Sequence, residues 1–221
     1  MLAGFTVDDT FAIERSLIAR GISPVAGTDE AGRGPLAGPV VAACVILPPE
    51  VDLFPYQDSK KLSARARRDL LAQLRDSDAV IGVGISSAAE IDRINILQAS
   101  LLAMKRAVLA TGETPGHLLV DGKFKVPIDI PQTALVKGES RSASIAAASI
   151  VAKETRDEIM LELHHRYPRY GFDRHKGYPT AAHRRIVAEI GPCPEHRLSF
   201  KGVLADNGGG EESAPGRLFK S

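Results

Sequence analysis

Val25-Ala-Gly-Thr-Asp29-Glu30-Ala-Gly32-Arg33-Gly34-Pro-Leu-Ala-Gly38-Pro39 runs straight into Val40-Val-Ala-Ala-Cys-Val-Ile-Leu47. Two apolar runs flank a short, glycine-rich connection, which predicts neighbouring antiparallel strands. The second run is apolar at nearly every position, the pattern of a strand buried on both faces. Two carboxylates close the first run. Adjacent acids at a strand end raise each other's pKa and resist burial, so a chain keeps them at low cost only where a cation neutralises them. Hard divalent ions take oxygen ligands. Glycines let a backbone approach a phosphate with no Cβ in the way. The stretch thus combines acids suited to metal, glycines suited to close approach and an arginine suited to phosphate.

Further elements follow from periodicity and punctuation. A polar start and helical spacing predict a helix over residues 9–20, ended by Gly21 and Pro24. Val25–Glu30 and Val40–Leu47 are the first two strands, and Pro48-Pro49 stops the second. Ser63 is placed to cap a helix reaching about Asp76, with Leu70, Leu71 and Leu74 inward. Val80–Ser86 reads as a third strand, followed by helical stretches near 87–93 and 95–110. Leu118–Asp121 and Thr133–Val136 are two more strands. A long helix is predicted from about Ser142 to His165, its first half made of residues small enough to lie close on a sheet. Another spans roughly 180–190. The sum is an α/β fold, a central five-stranded mixed sheet flanked by helices, with a meander first and helical crossovers later. Residues 1–205 are expected to form one domain, and the polar, glycine-rich stretch 206–221 a disordered tail.

Composition narrows the function classes. The 221 residues are 44% hydrophobic and 25% charged, values suited to one domain with a real core. A net charge of +1 argues against a uniformly basic nucleic-acid binder. Between Lys137 and Lys201, however, 12 Lys or Arg face 8 Asp or Glu, and five histidines lie in the same segment. A phosphate-binding face and an ordinary solvated helical surface both fit that distribution. Cys44 and Cys193 lack C-x-x-C spacing and read as reduced structural thiols, consistent with a cytoplasmic location. No signal-like start and no apolar run of about 18 residues point to a membrane. The histidines lack zinc-ligand spacing and are read as surface or supporting residues.

Three predicted strands end in acids: Asp29-Glu30, Asp121, and Glu139 after a Lys-Gly turn. Strands lie about 4.8 Å apart, so Asp29 and Asp121 on neighbours could share one cation. Glu30 and Glu139 could complete two sites, an arrangement that holds ions roughly 3.5–4 Å apart for displacement at phosphorus. Successive strand residues point to opposite faces, so Asp29 and Glu30 are expected to share a site only if the strand breaks there, as Gly32 and Gly34 suggest. Each acid alone could equally serve a turn or an ion pair. The Gly32-Arg33-Gly34 turn could meet a sugar–phosphate backbone, although no Gly-Lys-Ser/Thr follows as in a Walker loop. Lys60, Lys61 and Lys153 are candidate phosphate contacts, a solvated lysine face being the other reading. Tyr178, within His175-Lys176-Gly177-Tyr178-Pro179, is placed to stack on a sugar or base or to pack in the protein.

These segments together resemble the type 2 ribonucleases H, the ribonuclease HII family of bacterial type. The likeness rests on Gly27-Thr-Asp29-Glu30-Ala-Gly32-Arg33-Gly34-Pro-Leu-Ala-Gly-Pro, Asp58-Ser59-Lys60-Lys61-Leu-Ser, Val120-Asp121-Gly122 and Lys137-Gly138-Glu139. It continues through Ala-Ala-Ala-Ser-Ile-Val-Ala-Lys153-Glu-Thr-Arg156-Asp157, His175-Lys176-Gly177-Tyr178 and His196-Arg197-Leu-Ser-Phe, covering roughly 20–205. The resemblance implies a ribonuclease H-like fold and an endonuclease that uses Mn²⁺ or Mg²⁺. Such an enzyme cuts the RNA strand of RNA/DNA hybrids, and the 5′ side of single ribonucleotides in duplex DNA, leaving 3′-hydroxyl and 5′-phosphate ends. It further implies metal binding by Asp29, Glu30 and Asp121. Gly32, Arg33 and Gly34 would read the 2′-hydroxyl, with Tyr178 supporting them. The fourth acid of that pattern is often aspartate; here Glu139 carries its carboxylate about 1.5 Å further. Asp157 is a rival for that place, expected instead to form an ion pair with Arg156. A different two-metal nuclease such as a junction resolvase, and a non-catalytic nucleic-acid-binding module, are the alternatives. A monomer is expected, with Gly216-Arg-Leu-Phe-Lys220 a candidate docking peptide for a replication protein.

Overall fold

The computed structural model describes residues 9–48 and 62–204. Five strands, β1 (Val25–Ala31), β2 (Val40–Ile46), β3 (Val80–Ser86), β4 (His117–Asp121) and β5 (Gln132–Leu135), form one sheet in the order β3-β2-β1-β4-β5. β1, β2 and β3 are an antiparallel meander, whereas β4 and β5 run parallel to β1. The helices are α1 (Ala12–Ala19), α2 (Ala64–Arg75), α3 (Ala88–Ala110), α4 (Ala143–Arg166), α5 (Phe172–His175) and α6 (Ala181–Ile190). The mixed sheet flanked by helices agrees with the expected α/β architecture. None of the described helices is long and apolar enough to cross a membrane.

β2 is buried at all seven positions because helices cover both faces of the sheet. Ala43 and Val45 pack with Ala146, Ala147 and Ile150 of α4. On the other face, Val40, Ala42, Cys44 and Ile46 pack with Ala99, Ala103 and Ala107 of α3. The small-residue half of α4 allows a close approach to β1. A Cβ placed on Gly27 would lie 2.3 Å from the backbone at Ser144 and Ile145, so glycine is the residue that fits. Ser63 caps α2 by accepting from Ala66 N, and Leu70, Leu71 and Leu74 face inward, as the sequence predicts. The two helical stretches near 87–93 and 95–110 form one element kinked at Asn95, whose φ is 67°. Asn95 Oδ1 accepts from Leu97 N and Gln98 N, restarting the helix as an N-cap does.

One feature of the core is electrostatic. Arg156 of α4 and Arg197 are fully buried, and among the described residues neither guanidinium is paired with a carboxylate. Both donate to main-chain carbonyls of the segment joining β1 to β2. Arg197 reaches Gly32 O at 2.5 Å, Arg33 O at 2.9 Å, Gly38 O at 3.0 Å and Pro39 O at 3.2 Å. Arg156 reaches Pro39 O at 3.1 Å, Ala37 O at 3.2 Å and Lys176 O at 3.0 Å. The expected Arg156–Asp157 ion pair is therefore corrected: Asp157 pairs with Lys153, one helical turn away, at 2.6 Å. Adjacent helix residues diverge by about 100° and do not face one another, whereas i and i+4 do. Burial, and then the neighbouring Arg156 charge, push the Arg197 guanidinium down to about 9, still cationic at neutral pH.

Lysine cannot fork to four carbonyls. Arg197→Lys is expected to lower stability by about 3 kcal/mol, the scale of breaking a buried charge network. Urea unfolding monitored by circular dichroism measures it; a change under about 0.5 kcal/mol would show that the clamp does not hold the connection.

Candidate active site

The β1–β4 register decides where the acids lie. Its last pair is Thr28 with Val120, so one residue further along sets Asp29 beside Asp121. Asp29 points toward α4, like Gly27 two residues earlier, and Ser149 of α4 hydrogen-bonds its carboxylate. β1 does not break at the acids. Pairing with β2 continues through Asp29↔Ala43, Glu30↔Ala42 and Ala31↔Val41, which corrects the expected interruption. The strand instead outruns its β4 partner, leaving one edge open. There Glu30 N donates to Asp29 Oδ1 at 2.7 Å. Asp29, Glu30 and Asp121 all line one cleft of about 390 Å³, together with Gly32, Arg33, Gly34, Arg67, Ser149, Lys153, Arg156 and Tyr178.

The cleft is short of positive charge at its acids. Burial, then repulsion from Glu30 and Asp121, hold the Asp29 carboxyl well above the usual carboxylate range. Burial raises Glu30 too, partly offset by Arg33, whose Nη1 donates to Glu30 Oε1 at 3.1 Å. The other oxygen, Glu30 Oε2, is buried and accepts no hydrogen bond among the described residues. Asp121 Oδ1 accepts from Gly138 N at 2.7 Å, in the 3-10 turn Gly138–Ser140. A set of buried carboxylate oxygens with an unpartnered member suits a hard divalent cation. Among the described residues, no three acidic, histidine or cysteine side chains enclose a common point. The three carboxylates line the cleft without yet closing on one position.

Glu139 is placed differently from the other acids. It is buried, does not line the cleft, and accepts from Ser149 Oγ at 3.2 Å. Through that hydroxyl it is linked to Asp29.

The Gly32-Arg33-Gly34 turn forms one wall. Gly32 has φ +97°, and a Cβ there would strike Arg156 Nε at 2.1 Å, so glycine is required by both backbone and clamp. At Gly34 a Cβ would meet the Tyr178 ring at 3.8 Å, an ordinary contact distance. The Tyr178 loop is tied to this wall by Leu36 N donating to Gly177 O at 2.8 Å, and the Tyr178 ring is 45% exposed. Lys153 lines the cleft but is held by both oxygens of Asp157. Lys60 and Lys61 lie outside the described residues.

Arg67 of α2 is a cleft residue that sequence reasoning passed over. Its Nε donates to Glu154 Oε1 at 2.7 Å, a partner 87 residues away. It sits in the arginine-rich start of α2 beside Arg65 and Arg68, with nothing local to single it out. Ser149 was likewise hidden in a run of small residues. The reading of the histidines as surface or supporting residues is corrected in part: His183 and His196 are buried in a core with Tyr170 and Phe172 and do not line the cleft. Their spacing gave no sign of this because their partners come from separate loops. Cys44 and Cys193 are free and buried, as read from the sequence.

The family model described as Ribonuclease HII matches residues 26–203. The chain is 60% identical over 198 residues to the Ribonuclease HII of Desulfotalea psychrophila, covering 88% of each. It is 51% identical over 205 residues to the Ribonuclease HII of Syntrophotalea carbinolica, covering 92% of this chain and 98% of that one. Among solved structures, it resembles the RNase HII of Archaeoglobus fulgidus, determined in complex with PCNA, with a TM-score of 0.70 and 25% identity over 81% of this chain and 96% of that chain. The ribonuclease H2 of Pyrococcus horikoshii gives a TM-score of 0.64 at 26% identity, covering 81% of this chain and 94% of that chain. The ribonuclease H-like fold is thus shared, and the resolvase and non-catalytic alternatives are set aside. With its acids at the end of β1 and β4 in that shared fold, the chain belongs to the ribonuclease HII family: it is a hydrolase, an endonuclease of the ribonuclease H type.

Proposed function

We propose that the cleft cuts the RNA strand of RNA/DNA hybrids, and the 5′ side of single ribonucleotides in duplex DNA, leaving 3′-hydroxyl and 5′-phosphate ends. The observation that carries this reading is the meeting of Asp29, Glu30 and Asp121 with the Gly32-Arg33-Gly34 turn in one cleft. Asp29, Glu30 and Asp121 would hold Mn²⁺ or Mg²⁺ through their carboxylate oxygens. When bound, the ion supplies an activated water and stabilises the leaving 3′-oxygen. Ser149 orients the Asp29 carboxylate, with Glu139 behind it acting through that hydroxyl. The turn's main chain, held rigid by Arg197, presents Gly34 and Arg33 to the sugar, where the 2′-hydroxyl is the group that separates RNA from DNA. Tyr178 offers its exposed ring to the same sugar. Arg67, Lys60, Lys61 and Lys153 are assigned to phosphates. The wider reading is a cytoplasmic monomer in which 1–205 is the catalytic domain. Docking of the 206–221 tail to a replication protein is supported by the archaeal relative's complex with PCNA.

The direct test is a DNA duplex carrying one ribonucleotide. Asp121→Asn is expected to lose at least about a hundredfold in cleavage rate with Mn²⁺ or Mg²⁺, the scale of a lost electrostatic contact to the transition state. Cleavage at the wild-type rate would remove the assignment.

A stability measurement reads the same site without turnover. A carboxyl whose pKa is raised by folding is disfavoured when ionised, so its contribution to stability falls as pH rises through the raised value. In chelator, Asp29→Asn is expected to be more stable than wild type by about 1 kcal/mol at neutral pH, an advantage that shrinks toward pH 4. Adding Mn²⁺ should raise the melting temperature of the wild type and leave that of the variant nearly unchanged. Equal shifts in both proteins would place the ion elsewhere.

Arg33→Ala is expected to weaken cleavage at a single ribonucleotide about tenfold, since it removes a cation from beside Glu30 and the substrate backbone. Unchanged steady-state kinetics on that duplex would take the Arg33 side chain out of recognition.

A further inference from the structure

Behind the Tyr178 loop lies a chain of buried hydrogen bonds that no catalytic assignment uses. His183 and His196 are 0% and 1% exposed. Cys193 N lies 3.0 Å from His196 Nδ1. A backbone N–H can only donate, so His196 Nδ1 is an acceptor and its ring proton sits on Nε2. His196 Nε2 faces His183 Nε2 at 3.1 Å. The second ring must therefore accept there and keep its own proton on Nδ1. That proton is directed at the main-chain oxygen of Tyr178, 2.9 Å away. The partners at the two ends thus fix both tautomers, and each ring is neutral. Burial pushes both imidazoles down in pKa, His196 to about 4.

His183 is well placed for this task. It stands third in α6, where its N–H is capped by Thr180 Oγ1 and its side chain reaches back over the helix start. His175 stacks on its ring at 4.3 Å and accepts from Gly177 N, so a second histidine holds the residue before Tyr178. Tyr178 O also accepts from Thr180 N at 2.8 Å. Gly177 leaves no slack, because a Cβ on it would lie 2.5 Å from Ala37 O.

We propose that His183, oriented by His196, is a positioning residue for the substrate-reading cleft: its Nδ1–H holds the Tyr178 carbonyl and so sets the Tyr178 ring against Gly34. The assignment rests on the reading of Tyr178 as a substrate contact. Two substitutions separate the functions of the imidazole. Asn offers an amide nitrogen at the place of Nδ1, whereas Gln offers one at the place of Nε2.

Steady-state kinetics on a duplex with one ribonucleotide are expected to show His183→Asn within about threefold of the wild-type KM. His183→Gln should raise KM about tenfold with kcat within twofold, since Tyr178 binds sugar and does not touch the reacting phosphate. In a Tyr178→Ala background His183→Gln should add nothing further. A wild-type KM for His183→Gln, equal damage from Asn and Gln, or additive losses in the double variant would each overturn the positioning role alone. A wild-type KM for Tyr178→Ala would overturn the reading of Tyr178 and this role with it. Nitrogen-15 shifts of the histidine rings in the unaltered protein test the geometry with no substitution at all. A proton on His183 Nδ1 and on His196 Nε2 supports the chain, and the opposite tautomer at either ring overturns it.

Discussion

Two buried guanidiniums organise this molecule. Arg156 and Arg197 make seven hydrogen bonds to main-chain carbonyls, six of them in the segment from Gly32 to Pro39. A buried cation without a carboxylate partner costs several kcal/mol in lost hydration. Converging carbonyl dipoles offset that cost, and hydrogen bonds to a charged group are worth about 1.5–3 kcal/mol each. The segment so held is also the wall of the cleft. The carbonyls of Gly32, Arg33, Ala37, Gly38 and Pro39 are turned toward the two arginines. The exchange is sterically strict at Gly32, where any Cβ would enter the Arg156 guanidinium.

The second organising constraint opposes the first in sign. The β1–β4 register brings Asp29 beside Asp121, and the open edge of β1 lets Glu30 join them. Like charges buried together destabilise a fold, and among the described residues one oxygen of Glu30 is left unpartnered. Nothing in the core of α3, α4 and the sheet requires carboxylates at this place. A molecule that keeps them there gives up stability at a site suited to a cation, the usual relation between strain and function. The Ser149 hydroxyl stands between Asp29 and Glu139, with one proton to give to either.

Much of this was legible along the chain. The unbroken apolar run Val40–Leu47 announced a doubly covered strand, and Ser63, Asn95 and Ser142 fell where helices begin. The acids at the ends of β1 and β4 were visible as chemistry without a local purpose. Other features were not legible. Arg67 finds Glu154 across 87 residues, and Arg197 finds Arg33 O across 164. Asp157 turned to Lys153 rather than Arg156 because helical geometry favours the residue four positions away. His183 and His196, unremarkable in their spacing, prove to be buried behind the loop that bears Tyr178.

By itself the sequence determined the elements, their order and the identity of the acids, because hydrophobic periodicity, caps and turns act over a few residues. Only the tertiary structure decided which groups share the cleft and which partner each charge takes. Those choices depend on strand register and on loops that meet at one end of the sheet from distant parts of the chain. Glu30 shows the difference most plainly. Alternation along a strand places it on the face opposite Asp29, yet a neighbouring strand that stops short opens the edge through which its carboxylate joins the same cleft.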